Sequence, residues 1–578
     1  MAGSYQVMAS SEGAETNVER TLIQNIETNQ AINEDGMEIK NKYWLNKGYT
    51  KIDSDGFATH YYDIPVDMHI KVKTTQASTD SRVAEYSAIA WGNDSMPIKN
   101  DNAYIDMKGH ELTLDVESNK LNISGVGLHV VGNLEIKNIK GMKIHLYGKE
   151  ATGNAIYVKQ SYNNEQSKLL ISNENVEDGV LDIQNESYNQ GPLIYAEGEN
   201  RKEPLPKISR RLQSIISIKG NINAIAKKVA VVKAANGTVT IGGGYMKAEG
   251  DKAVSLLASY NSGIFINSQG EEIEVKEGEK RKKKLIFKEQ NRHHDVKIEG
   301  NVIAEGSPYG DGGIVGMALN TRNSYFTGLV GLKKGEAHMI LSDGANWYHE
   351  NKGGRGNEIG ASHLTSFYGD KGVIHQNTPK EIIIDQYSGN TTVVYAHKNQ
   401  GLKAEDYIGG DIRIGKAEEG SVITVLTSNE NIDNYGDKIG IVLGQKIHKK
   451  GDLKVEVKAS EGLLTAPRNF FTLFIDRSAV QEDSTEDPNI PDFGLNVHHA
   501  NGGAINDPGF IDAIVDYSPL LCISKVNSQK NPGLKDFTVC IRDGKHTCDE
   551  DEECTPYVLM GEEGGKKIYF PPSSPINT

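Results

Sequence analysis

Cysteine is missing from the first 521 residues of this 578-residue chain, and all four cysteines fall in one short tail, at Cys522, Cys540, Cys548 and Cys554. A body without cysteine followed by a local cluster fits an exported protein that avoids long-range disulfides. Long apolar runs are missing too. No window approaches the ~20 residues of a membrane helix, and the N-terminus has no signal-peptide apolar core. Met1-Ala2-Gly3-Ser4 reads as an added start, so the chain is expected to be a piece whose targeting segments were removed. Apolar content is 37% and mean hydropathy is -0.49, which suits an elongated body better than one compact globule. Positive charge is in deficit, with 63 Lys+Arg against 78 Asp+Glu and a net charge of -15. The chain as a whole would therefore repel nucleic-acid phosphates. Helical spacing is scarce, with Val18, Leu22, Ile23 and Ile26 holding it for a few turns in an N-terminal lead-in.

What the chain does have is glycine, 61 residues of it, set between short β-branched runs where tight turns need positive φ. From Ala103 the runs alternate apolar and polar side chains, as in Leu112-Thr113-Leu114-Asp115-Val116 and Lys143-Ile144-His145-Leu146, then break at Gly or Asn. Each such strand buries one face and wets the other. The stretch from Glu336 to His397 condenses the pattern: His338-Met339-Ile340-Leu341, Ile382-Ile383-Ile384 and Thr392-Val393-Val394-Tyr395 are separated by turn clusters such as Ser342-Asp343-Gly344 and Ser388-Gly389-Asn390.

Ile216–Ala224 and Val296–Ala304 share a pattern in which Gly-Asn and the final Ala are identical, and the match reads as an internal repeat. More than three hundred residues pass with Asn236-Gly237 as the one clear candidate for a two-residue hairpin turn. The expected fold is all-β: a right-handed parallel β-helix, a solenoid with coils of about two dozen residues, an irregular N-terminal cap and a C-terminal tail. The expected divisions are a lead-in over 1–100, the helix over 101–400, C-terminal coils over 401–478 and a cysteine-containing tail over 479–578.

Several segments in order, NGTVTIGGGYMKAEG (236–250), AVSLLASYNSGIFIN (253–267), NSYFTG (323–328), MILSDGANWYHE (339–350), EIIIDQYSGNTTVVYAH (381–397) and VEVKASEGLLTA (455–466), resemble the passenger domain of a type V, pertactin-like autotransporter from a diderm bacterium. The likeness covers about residues 100–470. Trp347 resembles the tryptophan of a coil near the passenger's C-terminal end, and residues 410–428 resemble the final coils that help nucleate folding after secretion. The resemblance implies a β-helical adhesin at the bacterial surface or released from it, attached through a C-terminal translocator barrel absent from this sequence. It implies host or bacterial surface glycans or proteins as partners, no cofactor and no catalysis. A β-helical carbohydrate-active enzyme and a self-associating aggregation or biofilm factor are the alternatives.

The residues bear on these choices unevenly. Lys280, Arg281, Lys282, Lys283 and Lys284 form the densest charge run and fit an anionic glycan or an acidic surface, or else a solvated loop offset by the glutamates just upstream. The insertion around them, from Gly270 to Asn291, is expected to protrude. Arg210 and Arg211, in a loop with Pro204 and Pro206, are a second candidate contact. Trp347 with Tyr348 is either an exposed recognition pair or a ring filling a coil. His293-His294 and His498-His499 make poor metal ligands because adjacent strand residues face opposite ways. Gly310-Asp311-Gly312-Gly313 has glycine where a trypsin-like nucleophile would stand. Acidic neighbours of Cys540, Cys548 and Cys554 favour structural pairing over a reactive thiolate.

Overall fold

A computed structural model describes side chains and backbone in segments between residues 59 and 424, chiefly 102–118, 125–149, 153–160, 166–172, 181–186, 191–198, 213–270, 287–289, 294–306, 312–352, 354–394 and 412–424; elsewhere it gives only the backbone course of individual strands. The architecture is all-β, and the described residues contain no α-helix, only a single 3-10 turn at Gly356–Glu358. Strands paired in parallel dominate it.

Most neighbours in chain order do not pair, although Tyr49–Ile52 pairs antiparallel with Ala58–Asp63 and Ser366–Gln376 pairs in parallel with Ile382–Tyr395. Most strands instead lie in parallel beside one further along the chain. Ile216 lies beside Val239, Val239 beside Ile264, Ile264 beside Val315 and Val315 beside Ala337, separations of 23, 25, 51 and 22 residues. The one long interval is filled by an insertion. Residues Ser268–Glu277 and Lys280–Glu289 form a separate two-stranded antiparallel sheet, so the expected protruding loop is a ribbon of ten-residue strands.

Two large sheets result. In the smaller, eight strands (Ser87–Trp91, Val126–Val130, Ile156–Lys159, Ile194–Glu197, Val232–Ala235, Leu256–Ser259, Val302–Glu305 and Val330–Lys333) pair in parallel in sequence order. The larger has 29 strands. It already includes Thr21–Glu27, parallel to Asp67–Thr74, and Ala58–Asp63, parallel to Asn102–Asp106. The helical spacing read around Leu22 and Ile26 is therefore corrected to a strand, in which those two residues fall on a period of two. Towards the other end Phe493–His499 pairs in parallel with Leu453–Ala459 but antiparallel with Lys535–Ile541, where the pairing mode changes.

Asn236-Gly237 is a corner rather than a hairpin turn. Asn236 takes a left-handed φ of 49° and passes the chain from Val232–Ala235 in the smaller sheet to Gly237–Glu249 in the larger. Asn267 turns in the same way at φ 48°, a conformation that asparagine tolerates better than most residues. The internal repeat is likewise not structural. Val296 shares its column with Gly244 and Ile222, not with Ile216. Residues 214–227 stay within the larger sheet, with a register shift between Ile218 and Asn221, whereas Gly300, at φ 125°, turns Val296–Glu299 away from Val302–Glu305 in the smaller one.

Inward side chains stack strand upon strand into one continuous core from Tyr62 to Ile423. A representative column runs Met246, Ile298, Phe326, Trp347, Ile374 and Val393. All six are at most 1% exposed, and each buried side chain of this size contributes roughly 1.5–3 kcal/mol relative to exposure. Trp347 has no exposed surface, stacks on Phe326 at 5.9 Å and donates its Nε1–H to the Gly328 carbonyl at 3.1 Å. Its role is to fill the core.

Candidate ligand-binding face

Because strand side chains alternate, every inward column has an outward companion whose members come from successive coils. One column of the larger sheet reads Tyr61, Tyr104, Glu135, Leu170, Ser217, Thr240 and Phe265. Near its start lies a groove of about 280 Å³, lined by Asn102, Tyr104, Asn133, Glu135, Lys168 and Leu170 with Gln166 at its rim. Ala103, Leu134 and Leu169, buried beneath, fix the strands that carry these groups.

The groove is chemically mixed. Tyr61 stacks on Tyr104 at 5.3 Å and 13°, covering one ring face. Burial, then the charge of Glu135, raise the Tyr104 phenol above its ordinary pKa, so it remains a hydroxyl donor at neutral pH. Asn133 Nδ2 donates to Asn102 Oδ1 at 3.0 Å, which sets both amides. Lys168 and Gln166 are exposed. The set offers an aromatic ring, a carboxylate, an ammonium and amides over three neighbouring strands, the mix that recognises a polar, hydroxyl-rich ligand.

A second outward strip lies mid-chain. Tyr245, Lys297, Tyr325 and Asn346 form one column, and Lys247, Glu299, Thr327, Tyr348 and His375 the next. Tyr325 donates its hydroxyl to Glu299 Oε1 at 2.8 Å, His375 stacks on Tyr348 at 4.5 Å, and His375 Nε2 sits 2.9 Å from Asn346 Oδ1. Tyr348 and His375 cover one another's faces, and Tyr325 meets Tyr348 edge-on at 6.4 Å.

The residues singled out in the sequence scatter. Lys280–Lys284 lie on the second strand of the ribbon, where Lys280, Lys282 and Lys283 have Glu277, Val275 and Glu274 as backbone partners. Arg210 and Arg211 lie outside the described residues, as do Cys548 and Cys554. Cys522 and Cys540 are direct register partners on antiparallel strands. His294 is buried.

One constellation escaped the sequence altogether. His349 Nε2 lies 2.7 Å from Ser362 Oγ, and its Nδ1 meets Gln376 Oε1. Gln376 Nε2 donates to the carbonyls of Lys380 and Gly410, so its oxygen faces the histidine, Nδ1 carries the proton and Ser362 donates to Nε2. The order Ser–His–amide imitates a hydrolase relay. All three residues are fully buried, however, and Ser362 Oγ also accepts the Val330 N–H at 3.0 Å. The network satisfies polar groups inside the core. Burial pushes the His349 imidazole down to about 4. No local signal links residues 13 and 27 positions away; only the stacking of coils brings them together.

No family model, curated protein or solved structure matches the chain. Among the described residues no cluster of His, Cys, Asp and Glu could hold a metal, and no helix is long and apolar enough to cross a membrane, which says nothing of a β-barrel.

Proposed function

We propose that this chain is a β-helical adhesin of the autotransporter-passenger type, displayed at or released from a bacterial surface, that binds a glycan or protein through its outward sheet faces. Partners 22 to 25 residues apart along uninterrupted coils support a solenoid. The right-handedness of nearly all parallel crossovers supports its hand. The observation that carries the binding reading is the groove at Tyr104, Glu135 and Lys168, where outward residues of three successive strands converge on a polar recess. Binding of this kind needs no chemistry and gains strength from repetition along a rod or among neighbouring rods.

The test is an array of surface glycans and host proteins probed with the purified chain, with turnover assayed on every hit. Binding without turnover, lost in Tyr104→Ala and in Lys168→Glu, is the expected result. Turnover of a polysaccharide would replace the adhesin with an enzyme. Binding unchanged in both variants would move the site elsewhere on the surface.

A further inference from the structure

The ribbon at 268–289 is unlike the rest of the molecule. The coils cover each other's strand edges above and below, but the ribbon is a sheet of two strands, and among the described residues neither outer edge is paired. At full extension each edge is about 34 Å long. Its charges are segregated by strand. Ser268–Glu277 carries Glu271, Glu272, Glu274 and Glu277 against a single lysine, whereas Lys280–Glu289 carries Lys280, Arg281, Lys282, Lys283, Lys284 and Lys288 against a single glutamate. In a two-stranded sheet each edge belongs wholly to one strand, so one edge is acidic and the other basic.

The ribbon's root is fixed. Phe287 lies between Phe265 (6.0 Å) and His338 (3.8 Å), in the outward position that Gly316 leaves without a side chain. A Cβ on Gly316 would stand 2.9 Å from the Phe287 ring. Asn320 Nδ2 donates to Glu289 Oε2 at 3.0 Å beside it. The ribbon is thus held to the stack at one end and extends a pair of open edges beyond it.

We infer that the ribbon is a homotypic docking surface: the acidic edge of one copy adds as a strand to the basic edge of a second copy. An isolated two-stranded hairpin is marginal and gains from a third strand. An open edge supplies a row of unpaired backbone groups for such addition. Lysine on an edge ordinarily blocks pairing, and here it rejects another basic edge while accepting the acidic one. The two edges differ, so the contact is heterologous and propagates head to tail instead of closing as a symmetric dimer. This inference does not depend on the adhesin reading, since it requires no foreign ligand.

Sedimentation of the full chain across concentration and salt tests it. Wild type should associate at low salt and weaken at least about tenfold once the screening length falls to about 3 Å. Reversing the basic strand (Lys282→Glu, Lys283→Glu, Lys284→Glu) or the acidic strand (Glu271→Lys, Glu272→Lys, Glu274→Lys) should leave each variant monomeric alone, and an equimolar mixture should associate. Because one-strand reversal also strains the ribbon internally, a variant carrying both reversals restores complementarity within and between copies and should associate as wild type does. Wild type and double reversal both monomeric at every salt concentration would overturn the inference. So would a monomeric wild type that captures a sulfated oligosaccharide and loses it on reversal of the basic strand, which would make the ribbon a polyanion site.

Discussion

The stacked parallel strands and the ribbon they carry treat their edges and faces in opposite ways. Outside the ribbon, the strands between 213 and 395 have parallel partners, and their inward side chains enter a dry column. In the ribbon, two long strands pair only with each other, and charge rather than burial distinguishes them. Stability therefore belongs to the inward columns of the coils. Recognition belongs to what projects from them.

The largest test of that division is Trp347→Ala. The indole has no exposed surface and packs between Phe326 and Ile374 in its column, so its removal should cost about 3–5 kcal/mol, read as a fall in the denaturant midpoint at constant slope. A cost below ~1 kcal/mol would mean that the column is not the seat of stability.

The second test uses pH. His349 is neutral in the folded chain, with its pKa lowered by burial to about 4 against 6.5 when free. The depressed value means that the unfolded chain binds the proton first. Stability is thus fully present above pH 6.5, falls as pH drops through the window from 6.5 to about 4, and levels off below it. The loss is about 3 kcal/mol over that window. In His349→Gln the acid slope of the unfolding free energy should lose the contribution of one proton. An unchanged slope would place the acid sensitivity elsewhere.

The third test separates ribbon from coils. Gly316→Val would put a side chain where Phe287 packs, so the ribbon's root should release and protease cleavage within 268–289 should accelerate, at a cost to the coils of about 1–3 kcal/mol. Phe287→Ala should speed cleavage in the same way without overpacking. Equal cleavage in wild type and both variants would show that the root is not held by that ring.

The strands were legible because alternation is local. Leu112, Leu114 and Val116 announce their buried face within five residues. Trp347, open in the sequence between an exposed recognition ring and a buried filling one, is buried. Column membership was not legible. Ile216–Ala224 and Val296–Ala304 look like copies, but the chain stays in the larger sheet through the first and leaves it at Gly300 in the second, so similar residues fall in different columns. The groove depended on the same missing information, since Tyr104, Glu135 and Leu170 meet only because partners 31 and 35 residues apart come into register. The ribbon lacks the Asn-Gly or Asp-Gly that marks tight hairpins, having Gly278-Glu279 between its strands, and its charge run was readable as composition but not as an edge.

The smallest expected effect gives the sharpest contrast, because it falls on the residue next to the largest. Tyr348 follows Trp347 on the same strand and so projects outward, where it is half-buried and stacks on His375 at 4.5 Å and 17°. Tyr348→Ala leaves no void in the column and removes one aromatic pair, worth about 0.5–1.5 kcal/mol. A double-mutant cycle with His375→Ala should recover most of that as coupling, whereas Tyr348→Ala and Trp347→Ala should add nearly independently, since inward and outward columns share little contact. Strong coupling between these chain neighbours would break the division of faces, because it would mean that the outward strip helps to hold the core together.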